Sequence, residues 1–233
     1  MTYSTRAPFA PVAQQAEEVR GDFIIKVYQH LALAVAAFVA IEVVLFQIGV
    51  AEKLADFISG GRMGWLLLLG GFMVVQQIAT MSAHNIENQN VQYMGLFGTA
   101  LAQGIIFAPY LYLVFEGQGT SPVWSAGIVT AFGFAALTGV AFVTRRDLSF
   151  MRPLIMWASM CALGIIVIAL IFQLDLGLWF SLAMVALSGA AILYQTQNVI
   201  RRYPSTAYVG AAVGLFGSLM TMFWYILRIF SRR

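Results

Sequence analysis

The sequence predicts an all-α integral membrane protein, a bundle of seven transmembrane helices with the last helix at its centre. Three observations lead there. Of 233 residues, 61% are apolar and only 10% charged, and the mean hydropathy is +0.83. A soluble domain carries about 45–50% apolar and about 25% charged residues, and so short a chain cannot bury the excess in a core of its own. Lipid must be its main solvent. Second, the apolar residues fall into seven runs, and seven spans of about 20 residues each fit within the chain. Third, the last run carries small residues on one face at helical spacing, as a helix crowded by neighbours requires.

Each span is bounded by polar breaks. The first, 23–48, follows the mixed charges Glu17, Glu18, Arg20 and Asp22, so residues 1–22 read as a cytoplasmic tail and 23–233 as one membrane domain. That tail lacks the short apolar core and cleavage site of a secretory signal. Gly60-Gly61-Arg62 opens the second span, 63–81, and the polar stretch Ser82 to Tyr93 separates it from the third, 94–115. Pro109 should kink that third span. The fourth, 123–143, and the fifth, 151–172, flank the segment Thr144 to Phe150. Only Gln173 to Leu176 separates the fifth from the sixth, 177–194, which makes those two an antiparallel hairpin. The seventh, 207–230, follows Gln195 to Ser205. Its small face is Gly210, Gly214, Gly217, Ser218 and Thr221, with Gly210 and Gly214 forming a small-xxx-small pair.

Lys and Arg fix the expected orientation. The breaks on the N-terminal side hold Arg145, Arg146, Arg152, Arg201 and Arg202, against Lys53 and Arg62 on the other. The excess of positive charge marks the cytoplasmic side, so the N-terminus is expected inside. Seven spans then put the basic C-terminus, Arg228, Arg232 and Arg233, outside, unless the last segment is re-entrant. The outer loops carry Glu52, Asp56, Glu116 and Asp175, and an acidic mouth concentrates cations. Trp65, Tyr110, Tyr112, Trp124, Trp179 and Tyr208 near span ends read as interfacial anchors. A formal charge of +3 forms no concentrated basic face, so nucleic acid is not an expected partner.

Glu42 is the one carboxylate well inside a predicted span. An intramembrane ionisable group points to function by default, because burying it costs several kcal/mol unless it is paired or protonated. Two readings stand: a cation or proton site, or a structural pair with Arg228, which ends on the same side. Gln76, Gln77, Gln103 and Gln195 read as interhelical hydrogen-bond partners, and Ser218–Thr221 as a possible polar track. Several seven-helix classes fail. No lysine lies in the last span for a retinal Schiff base, and no histidine follows His84 for a serine protease. Asp147 and Asp175 lie in loops, so no aspartyl-protease pair forms, and no Gly-rich phosphate loop is present. Cys161 stands alone, and neither histidine sits in a zinc pattern. Neither catalysis nor a resident cofactor is expected.

Several segments, in order, carry a resemblance. They are Gly104 to Pro109, Ala131 through Phe142, Thr144-Arg145-Arg146-Asp147-Leu148-Ser149-Phe150, Ala191 to Ile200, and Phe216 to Phe230. Together the chain resembles the Bax inhibitor-1 family over nearly all of residues 20–230. The resemblance implies seven helices with the last one surrounded, and a pH-sensitive calcium leak across membranes. In calcium-leak members two aspartates form the proton-sensitive pair; the matching positions here are Gln195 and Ser218. Neither can titrate. The basic latch expected near the end of the second span is absent from Ser82 to Asn88. These departures are similar to the bacterial YccA-type branch, which implies an inner-membrane protein that restrains an FtsH-type membrane protease. The expected partners are therefore the lipid bilayer, calcium as a transient ion, or such a protease. The candidate ion-path or gating residues are Glu42, Gln195, Ser218, Thr221 and Arg228.

Overall fold

The computed structural model describes residues 11–144 and 147–232. Arg145, Arg146 and Arg233, all used above for orientation, lie outside the described residues. Those described form eight α-helices: α1 (Glu17–Gln47), α2 (Val50–Ser59), α3 (Arg62–Ala83), α4 (Gln89–Gln118), α5 (Ser121–Val143), α6 (Met151–Phe172), α7 (Gly177–Arg201) and α8 (Tyr208–Phe230). Seven of them, all but α2, are long and apolar enough to cross a membrane.

The helices run beyond the apolar stretches because polar residues continue the turn outside lipid. α1 starts at Glu17, inside the expected tail, with Glu17 and Glu18 in its first turn, where acidic groups favour the helix dipole. The Asn88 side chain caps α4 by accepting from the Asn90 and Val91 amides, as N-cap residues do. α2 falls where the sequence read only a loop. Gly49, with φ 72°, lets the chain turn sharply out of α1. α2 then buries Ala51, Ala55 and Ile58 at spacings of four and three, leaving Glu52, Lys53 and Asp56 exposed.

Two helices are central, not one. In the most apolar 18-residue stretch of α4, and likewise of α8, 61% of residues are buried, against 11–28% in the other spans. The sequence placed α8 correctly and gave no such role to α4. α3 lies tightly on α4: a Cβ at Gly95 would sit 2.2 Å from the Ala83 amide nitrogen. α6 is the outlier, since among the described residues it packs only against α3 and α7.

The bundle has two distinct ends. At one, the Val12 amide donates to the Tyr203 carbonyl at 2.9 Å, joining the N-terminal segment to the α7–α8 connection. His30 sits beside them on α1. The Lys26 carbonyl can only accept, so His30 Nδ1 donates to it, and Nε2 lies 2.9 Å from the Tyr93 hydroxyl. The His30 ring also lies 4.8 Å from that of Tyr208. At the opposite end, Ser231 meets Tyr110 and Gln118 of α4. α8 therefore runs the length of the bundle and is not re-entrant; its 23 residues span about 35 Å.

Candidate functional site

α7 and α8 bring two of the candidate residues together. Ser218 Oγ donates to Gln195 Oε1 at 3.1 Å. Gly214, one turn earlier on α8, leaves room for the amide: a Cβ there would lie 3.9 Å from Gln195 Cδ. The pair is neutral, and such a bond stabilises by about 1 kcal/mol net. The tight glycine of α8 is instead Gly210, whose Cβ would come within 3.0 Å of the His84 ring and 3.1 Å of the Ala83 carbonyl.

Thr221, one turn beyond Ser218, donates to the Gly217 carbonyl at 2.9 Å. It also lines a cavity of about 500 Å³ bounded by α3, α4, α6, α7 and α8. The cavity occupies the space left where the backbone of α6 stands off from α4 and α8. Its wall is mostly apolar, with Gln103 and Thr221 toward mid-helix and Arg228 at the mouth. Trp224 is the hub of an aromatic cluster, its ring 4.8 Å from both Phe107 and Tyr110 and 6.4 Å from Trp65. Trp65 and Tyr110, expected to serve as interfacial anchors, are thus cavity walls.

Arg228 does not pair with Glu42. It lies 3.6 Å from Asp175, which also binds Arg232. The Gly177 amide, donating at 3.0 Å, and then the two guanidinium groups hold the exposed Asp175 carboxyl below the usual aspartate range. Glu42 lies on the buried stripe of α1 with Phe38 and Leu45 and is 8% exposed. Among the described residues neither of its oxygens has a hydrogen-bond partner, and it is not among those that line the cavity. Sharing one end of the bundle fixes depth but not rotation about the helix axis, which is why the expected pair fails to form.

At the other end, the α5–α6 connection is tied to α7. Arg202 pairs with Asp147 at 3.1 Å and bonds Ser149, while the Leu148 amide donates to Gln197 Oε1 at 2.6 Å. The Ser149 hydroxyl and amide, then the arginines, hold the exposed Asp147 below its usual range. Sequence reasoning missed both this tie and the His30–Tyr93–Tyr208 cluster, because their partners lie on different spans. Among the described residues no three His, Cys, Asp or Glu side chains converge to hold a metal.

A seven-span α-helical bundle with two central helices, and a polar pair joining its last two spans, defines a class of multi-pass membrane protein. The family model described as "Inhibitor of apoptosis-promoting Bax1" matches residues 20–233. The chain belongs to that family, the Bax inhibitor-1 family. Among relatives, it is 28% identical to Protein LIFEGUARD 4 of Arabidopsis thaliana over 227 residues, 94% of this chain and 88% of that protein. It is 24% identical to Protein LIFEGUARD 2 of the same plant, covering 97% of this chain and 94% of the relative. It is also 33% identical to the Modulator of FtsH protease YccA of Escherichia coli over 101 residues, 43% of this chain and 46% of that protein.

Proposed function

We propose that this protein is a non-enzymatic membrane protein that leaks cations slowly across a bacterial inner membrane, with calcium as the transient ion and the N-terminus cytoplasmic. The observation behind this reading is Glu42, a buried carboxylate with no hydrogen-bond partner among the described residues. Such a group takes a proton or a cation as its partner. Thr221 and Ser218, one helical turn apart, with Gln103 and Gln195 beside them, add neutral oxygens along α8. Calcium favours six to eight oxygen ligands, so one carboxylate with amides and hydroxyls fits brief passage and not storage. The inner-membrane assignment draws on a relative named Inner membrane protein YccA, and the orientation on the loop charges.

Calcium flux into proteoliposomes tests the leak. Glu42→Gln, which keeps the shape and removes the charge, is expected to cut flux at least several-fold without unfolding the bundle. Wild-type protein, correctly inserted, that shows no flux above empty liposomes would refute the reading. A second reading rests on the printed name of the YccA relative: modulation of an FtsH-type protease with no transport at all. It expects no flux from either variant, together with co-purification of the protease and slower turnover of its membrane substrates.

A further inference from the structure

We propose that the cavity between α6 and the central pair α4 and α8 is a binding site for an anionic phospholipid, with one acyl chain inside and the phosphate at Arg228 and Arg232. No ion conduction is needed for this. About 500 Å³ is within the range of small-ligand pockets, and the wall is largely aliphatic and aromatic. So extensive an apolar wall is poorly matched to water and favours an apolar guest. Such a guest is close at hand. α3 and α6 form the outer wall, most of the apolar stretch of each is left uncovered by protein, and among the described helices α6 packs closely only with α3 and α7.

The chemistry of the mouth selects the headgroup. Arg228 lines the cavity, and Arg232 lines the adjoining pocket that shares Arg228 and Tyr110 with it. Among the described residues the two arginines pair with a single carboxylate, Asp175, which leaves one positive charge near the end of a 23-residue span. A phosphate at a membrane interface meets a guanidinium there at bonding distance. Trp65 and Tyr110 line the cavity at the same end. Gln103 is 6% exposed, lines the cavity and makes no hydrogen bond to another described residue. It lies two turns below Tyr110, about 10 Å by helix rise, and its long side chain offers a donor to an ester carbonyl beneath the phosphate. A zwitterionic lipid has the same tail but carries its own cation, so the remaining positive charge at the mouth favours the anionic lipid.

Tryptophan quenching by phospholipids brominated on the acyl chain tests the site in the full-length protein. Trp124, Trp157 and Trp179 are 71%, 69% and 82% exposed, so replacing each by Phe leaves Trp65 and Trp224 as reporters in the cavity wall. Brominated phosphatidylglycerol is expected to quench them at several-fold lower mole fraction than brominated phosphatidylcholine. Arg228→Gln with Arg232→Gln should abolish the difference, and Ala169→Phe, which fills the cavity from α6, should weaken quenching by both lipids. Arg232→Gln alone, at the helix end, keeps the test open if the double variant does not fold. Equal quenching by the two lipids, or a preference unchanged by the arginine substitutions, overturns the headgroup assignment. Quenching unaltered by Ala169→Phe overturns the cavity as the place where the chain binds.

Discussion

At the scale of single residues, the bundle distinguishes positions that the sequence treats alike. Small residues line one face of α8, yet only some bring backbones close. Gly214 has room for a methyl group, whereas Gly95 on α4 leaves none against Ala79 and Ala83. Overpacking of this kind costs about 1–3 kcal/mol. Gly95→Ala should therefore lower the melting temperature in detergent measurably, while Gly214→Ala stays within about 0.5 kcal/mol of wild type. Equal melting temperatures for the two would show that the α3–α4 approach is not tight. The same limit explains the candidate residues. Hydropathy located Glu42, Ser218 and Arg228 along their helices but not around them. The Gln195–Ser218 bond was approached only through the resemblance, which set the two positions side by side.

At the scale of elements, the seven spans were legible because lipid demands about 20 apolar residues in each. α2 was hidden, since Glu52, Lys53 and Asp56 interrupt its apolar residues and only their spacing betrays a half-buried helix. The centrality of α4 was hidden too, because an apolar surface facing lipid and one facing protein have the same composition. α6 is the least embedded span, with 11% of its apolar stretch buried, and its far end is held through Asp175 to α8. That tie has a predictable pH dependence. The folded-state pKa of Asp175 lies below its ordinary 3.8, so its contribution is complete above the ordinary value. It is lost as pH falls through the depressed one. Amide exchange near the end of α6, corrected for intrinsic rates, should stay flat from about pH 7 to 5 and rise only in strong acid. Asp175→Asn should raise it throughout, and salt should mimic that change because the pair is exposed. A rise centred near neutral pH would assign the tie to another group.

At the scale of the whole molecule, seven crossings place the two ends of the chain on opposite faces. In a Cys161→Ser background, Gln118→Cys and Ser205→Cys are expected to react with impermeant thiol reagents from opposite sides of sealed vesicles. Labelling from the same side would reject the topology. The side that holds Val12 also holds the contacts, Val12 with Tyr203 and Pro11 with Pro204, that join the beginning of the described chain to the connection before its last helix. A tail anchored at that point works as a tether with its load on the far strand. A pull on Pro11 loads the Val12–Tyr203 hydrogen bond, and through it the connection that leads into α8, one of the two most enclosed spans. Load on the start of the described chain is thus coupled to the centre of the bundle from outside the membrane-spanning helices.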